Sequence, residues 1–129
     1  MNIILNSTKS FDQTATDLEQ SVARHGFSVL HRFALSETLA SKGHPIAGRC
    51  AVFEICNASL AAQILTHNPA ISLALPCRIA VFESAGQTRL GTIAPTTILS
   101  GFDAASDVTA TATEVEQTLQ RILSDAAQA

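Results

Sequence analysis

Two stretches, RCAVFEIC (49–56) and CRIAVFES (77–84), set the strongest constraint on how this chain can fold. Side chains alternate between the two faces of a strand. In the first stretch Arg49, Ala51, Phe53 and Ile55 share one face, and Cys50, Val52, Glu54 and Cys56 share the other. In the second, Cys77, Ile79 and Val81 oppose Arg78, Ala80 and Phe82. A third stretch, FSVLHRFA (27–34), sets Phe27, Val29, His31 and Phe33 against Ser28, Leu30, Arg32 and Ala34. None of the three has a plainly polar side. A sheet built from them has to be covered on both faces. Helices can cover one. The other needs more helix or a partner, and we expect a second copy of the chain, a homodimer. A monomer with helices on both sides is the alternative.

The helices are written in the remaining periodicity. Phe11, Ala15, Leu18 and Val22 recur four, three and four residues apart, which is one helix face. Ser10 stands ready as its N-cap, with Gln13 three residues on as capping-box partner and Gly26 as the stop. SETLASKG predicts a short helix capped by Ser36 and ended by Gly43. Asn57 can cap a helix through SLAAQILTH, which Asn68-Pro69 ends, because the residue before proline avoids the helical region. Pro95 opens a helical turn in PTTILSGF. Val108, Ala112, Val115, Leu119, Ile122 and Ala126 mark the clearest helix of the chain, an amphipathic packing helix whose polar face is not basic enough for a membrane surface.

MNIILNST reads as a first strand, and TRLGTIA as the hairpin partner of CRIAVFES around Gly86. This order of elements predicts an α+β two-layer sandwich in one domain over 1–129. Its sheet is expected to be mixed, with about five strands and helices packed mainly on one face. A loose strand–helix–strand repeat, 1–34 and 49–84, has no residue-level identity behind it.

Composition excludes several functions. Net charge is −3, lysines number two, and Trp and Tyr are absent. Nucleic-acid binding needs a basic stripe for phosphates and aromatic platforms for bases, so it is set aside. No apolar run approaches the ~18 residues of a membrane span. MNIIL lacks the basic start of a signal peptide, so a cytoplasmic protein with three reduced cysteines is expected. Charged residues make up only 15% of the chain, which again favours a covered surface. No G-x-S-x-G, phosphate loop, G-x-G-x-x-G or H-E-x-x-H motif occurs. No catalytic residue, metal ligand set or cofactor is therefore assigned.

Five residues remain as candidates for a binding site: Glu54, Cys56, Asn57, Cys77 and Arg78. Glu54 sits mid-strand between Phe53 and Ile55, where an unpaired carboxylate is costly. It needs a partner such as Arg78 or Arg32, a solvated face or a cleft. The helix start at Asn57 offers a place for an anion. Zinc sites favour close pairs such as C-x-x-C, so the spacing of Cys50, Cys56 and Cys77 argues against a metal. With an ordinary helical crossover the strands flanking the 58–67 helix run parallel, which places Cys56 and Cys77 at opposite sheet ends, about 20 Å apart. Cys50 and Cys77 become the nearer pair. All three cysteines read as small buried hydrophobes. His31 reads as a core histidine on an apolar face. His25 and His67 fall at helix C-termini, where a cation suits the dipole.

EICNASLAAQIL, HNPAISLALPCRIAVFE and GQTRLGTIAP together resemble the family called "domain of unknown function 302". The resemblance rests on Cys56, Asn57, Pro69, Leu75, Pro76, Cys77, Arg78, Val81 and Glu83; Ala58 stands where the family usually has proline. It covers most of the chain and is most specific over 54–95. It implies a compact α/β domain with an antiparallel or mixed sheet, often dimeric, and no assigned reaction.

The function expected is that of a small-molecule or protein-binding homodimer without catalytic machinery. The alternative is a thiol-dependent redox, sulfur-handling or metal-binding protein that uses Cys56 or Cys77, with Cys56 better placed ahead of a helix N-terminus.

Overall fold

In the computed structural model, which describes residues 1–102 and 106–128, strands and helices alternate along the chain as far as the fourth strand, Cys77–Ser84. β1 (Asn2–Asn6) is followed by α1 (Phe11–Arg24), β2 (Ser28–Phe33) and α2 (Leu35–Ser41). Next come β3 (Cys50–Cys56), α3 (Ala58–His67) and a 3-10 segment, Pro69–Ala74. β4 (Cys77–Ser84), β5 (Gln87–Ile93), α4 (Pro95–Leu99) and α5 (Ser106–Ala127) complete the order. The five strands form one sheet in the order β1-β5-β4-β3-β2. This is the expected α+β two-layer sandwich.

Each strand pair is antiparallel, which corrects the mixed sheet and the parallel β3–β4 pairing expected from an ordinary crossover. The connection accounts for the difference. At ~1.5 Å per residue the ten residues of α3 advance about 15 Å, and at ~2 Å per residue the six residues of the 3-10 segment recover about 12 Å. The chain therefore re-enters the sheet at the end it left. α1 makes the one long traverse, from the β1 edge to the β2 edge. Its 14 residues span about 21 Å, against about 19 Å for four inter-strand gaps.

α1 and α5 pack together on the inner face of the sheet. The stripes read from periodicity are the stripes buried: Phe11, Ala15, Leu18 and Val22 from α1, and Val108, Ala112, Val115, Leu119, Ile122 and Ala126 from α5. Val108 and Ala112 pack in a second cluster with Ile64, Ile71 and Leu99; the rest meet Ala51, Phe53, Ile55, Ile79, Val81 and Leu90 of the inner face. Buried hydroxyls are satisfied internally. Ser21 Oγ donates to the Ile122 carbonyl at 2.9 Å and so ties α1 to α5. Thr14 Oγ1 donates to the Ser10 carbonyl at 2.8 Å.

Three local expectations resolve differently. Ser10 caps α1, accepting from Gln13 N at 3.1 Å, but the Gln13 side chain turns to Asp17 instead of closing a capping box. α2 begins two residues earlier than a Ser36 cap implies, with Ala34 at the cap position, and Ser36 does not cap it; its hydroxyl bonds both the amide and the carbonyl of Cys50, docking α2 on β3. β2 carries a bulge: Val29 pairs with Ile55 and His31 with Glu54, leaving Leu30 unpaired. An extra residue reverses the alternation beyond it. Val29 therefore faces the core, whereas His31 lies exposed on the outer face. The reading of His31 as a core histidine, on one face with Val29, is corrected.

Candidate functional site

The ladder between β3 and β4 decides what each candidate residue can meet. Ile55 pairs with Cys77, Phe53 with Ile79 and Ala51 with Val81 on the inner face. Glu54 pairs with Arg78, Val52 with Ala80 and Cys50 with Phe82 on the outer face. The partner sought for Glu54 is therefore Arg78. Arg78 Nε lies 3.7 Å from Glu54 Oε2, with the Arg78 side chain 69% exposed and that of Glu54 20%. A pair this open to water contributes under ~1 kcal/mol. Arg32, the other partner considered, instead bonds Glu19 at 3.2 Å and stacks over the Phe53 ring.

The antiparallel register also rearranges the cysteines. Cys56 and Cys77 come to the same end of the sheet, next to the Ile55–Cys77 pair. Cys50 lies five ladder positions from the Cys77 end, about 17 Å away. Both parts of the expected cysteine geometry are thus reversed. Cys77 points inward with Ile79 and Val81. Burial, with a smaller contribution from Cys56, pushes its thiol up to about 11. Desolvation raises the Cys50 thiol as well. Among the described residues no cluster of three or more His, Cys, Asp or Glu could hold a metal ion.

Asn57 does two positioning jobs. Its Oδ1 accepts from Leu60 N at 3.1 Å, capping α3, and its Nδ2 donates to the Gly26 carbonyl at 3.2 Å. The start of α3 is thereby fixed to the turn between α1 and β2. The side chain that was read as marking an anion site fills part of that helix terminus itself. Asn68 repeats the device one element later, accepting from Ala70 N at 3.0 Å to start the 3-10 segment.

α3 and the 3-10 segment do not close down on the sheet end. Between them, α4, α5 and the ends of β4 and β5 lies a cavity of about 780 Å³. Its walls come from both faces of the sheet: Ile55 and Cys77 from the inner face, Ala80 and Ile93 from the outer. Cys56, Asn57, Cys77 and Arg78 all line it. Glu54 does not, and reaches it only through Arg78. Four of the five sequence candidates therefore meet at one place, and the fifth touches it indirectly.

The walls that sequence reading missed are Leu60 and Ile64 of α3, Leu75 after the 3-10 segment, Ile98 of α4 and Val115 of α5. One signal was available. SLAAQIL carries apolar residues around more than one face of α3, yet only Ile64 of that helix is fully buried. The surplus apolar surface is what the cavity exposes.

Among the described residues, no helix is long and apolar enough to cross a membrane. A family model described as "Domain of unknown function DUF302" matches residues 3–126. The fold is similar to the crystal structure of an uncharacterized conserved DUF302 protein from Bacillus stearothermophilus. That similarity has a TM-score of 0.92 and 26% identity, and covers 97% of this chain and 97% of that one. None of the curated proteins matches the chain in sequence.

Proposed function

We propose, on the premise that this chain belongs to the family of domain of unknown function DUF302, that it is a binding module for a small, largely apolar molecule held in the cavity around the start of β4. The observation that carries the reading is the cavity itself. At about 780 Å³ it falls within the ~300–1,000 Å³ of ordinary small-molecule sites. Its lining has the composition of such sites: mostly aliphatic walls with a few polar residues, here Asn2, Asn57, Ser72, Arg78 and Thr92.

The homodimer belongs to the same proposal. Ile4, Phe33 and Ile93 are 39%, 45% and 52% exposed on the outer face, around half-buried Val52, Ala80 and Phe82. A second copy laid on this face would bury that strip. It would also close the outer wall of the cavity, so that ligand binding and association are linked. The thiol reading has less support: the raised Cys77 thiol stays protonated at neutral pH. That leaves Cys56 as the residue on which it rests.

The test is the uptake of N-phenyl-1-naphthylamine, a neutral apolar dye that brightens out of water. We expect one saturable site per chain. Ala61→Phe, which places a ring into the cavity from a half-buried position on α3, should weaken binding at least tenfold. Uptake that does not saturate, or is unchanged in Ala61→Phe, overturns the reading. Light scattering tests the dimer, with a mass of twice 13.6 kDa expected and a monomer at micromolar concentration contradicting it.

A further inference from the structure

Among the described residues the cavity has one charged group in its lining, Arg78. Leu60, Ile64, Leu75, Ile98 and Val115 make its body, and Arg78 stands at its rim on the outer face. Resting on the reading of the cavity as a binding site, we propose that the ligand is a monoanionic amphiphile: an apolar body ending in a single carboxylate that Arg78 receives.

The condition of Arg78 carries the inference. Arg49 meets its carboxylate at 2.9 Å and Arg32 at 3.2 Å, both within hydrogen-bond reach. Arg78 meets Glu54 only through Nε, at 3.7 Å, beyond that reach. Among the described residues its guanidinium donates no hydrogen bond. The two terminal nitrogens form the fork that matches a carboxylate in bidentate fashion. An exposed arginine on an ordinary surface has no reason to be elsewhere. This one stands at the rim of a mostly aliphatic lining, so a ligand that fills the walls brings its terminus to the guanidinium.

Glu54 sets the strength of the site. As the 20%-exposed neighbour of the guanidinium it opposes an incoming anion and keeps Arg78 partly neutralised. His31 is its cross-strand neighbour on the other side. The row His31–Glu54–Arg78 thus places an acid between the receiving cation and the sheet edge. Removing the Glu54 charge should strengthen anion binding, and removing the Arg78 charge should abolish the preference for an anion.

The experiment compares cis-parinaric acid with its methyl ester. Both are fluorescent polyenes with the same apolar body and differ only in the charge. With the full chain, the acid should bind roughly tenfold more tightly than the ester. Arg78→Gln should reduce the acid to the affinity of the ester while leaving the ester unchanged. Glu54→Gln should tighten the acid severalfold and leave the ester alone. Both substitutions lie on the outer face, so circular dichroism checks the fold of each variant and light scattering its association state. Equal binding of acid and ester by the native chain, or a preference that survives Arg78→Gln, overturns the carboxylate assignment and leaves the cavity reading standing. Binding of neither overturns both.

Discussion

The thiol of Cys77 gives a sharp prediction because two consequences follow from one cause. Cys77 faces inward with Ile79 and Val81, and desolvation raises its pKa from 9.0 to about 11. The thiolate is the reactive form. At pH 8 a rise of two units lowers the thiolate fraction about a hundredfold. Mass-spectrometric mapping of iodoacetamide labelling should therefore find Cys77 modified about a hundred times more slowly than a cysteine in a short unstructured peptide. The second consequence concerns stability. Below the unfolded-state value the thiol is protonated in both states and pH has no leverage. Above it the unfolded chain ionises first, so the native state holds the extra proton and stability falls as pH rises toward 11. Two units correspond to about 2–3 kcal/mol. Urea titrations of the native chain and of Cys77→Ala isolate this loss, because the lysines titrate equally in both. The native chain should lose about 2 kcal/mol more than the variant between pH 8.5 and 11. Labelling of Cys77 at the peptide rate, or parallel pH profiles, would refute the assignment of Cys77 as a desolvated wall residue and would restore the thiol reading.

Two further substitutions test the sheet. A Cβ built on Gly91 would lie 2.5 Å from the Ile3 carbonyl oxygen and 3.1 Å from the Ile4 Cα. Both are backbone atoms that move only if β1 moves. Gly91→Ala should cost about 1–3 kcal/mol in chemical denaturation, while Gly101→Ala, where a Cβ meets nothing within 4 Å, should stay within about 0.5 kcal/mol. The β4–β5 turn holds Ala85 at φ +52° and Gly86 at φ +75°, the left-handed pair that Asn-Gly fits without strain. Ala85→Asn should stabilise the chain by about 1 kcal/mol, and an unchanged melting temperature would contradict that view of the hairpin.

What the sequence disclosed, and what it withheld, divides along physical lines. The stripes of α1 and α5 were legible because a 3.6-residue period sustained over three or more turns fits a helix and little else. The Ser10 and Asn57 caps were legible because their bonds are local. The pairing of Glu54 with Arg78 could only be posed as one option of two, since it depends on register. The β2 bulge was invisible: an extra residue in one strand is a relation between two strands, and Leu30 looks like its neighbours. The antiparallel β3–β4 pairing was missed because SLAAQILTH was read as a complete crossover, whereas Pro69–Ala74 brings the chain back. The cavity was hidden for the opposite reason. Leu75, Ile98 and Val115 are ordinary core residue types, and only their failure to meet makes a site.

The binding site and the ligand proposed for it both rest on the cavity, and the methyl groups around it offer the most direct measurement. The isoleucine, leucine and valine methyls can be labelled and followed by two-dimensional NMR while N-phenyl-1-naphthylamine is titrated in. A ligand held in the cavity should produce saturable, one-to-one shifts at Ile64, Leu75, Ile98 and Val115, which line it. Val22, buried on α1 outside its lining, and Ile46, 52% exposed in the loop before β3, should not move. Shifts confined to exposed methyls such as Ile46, or none at the four wall residues, would contradict the binding site.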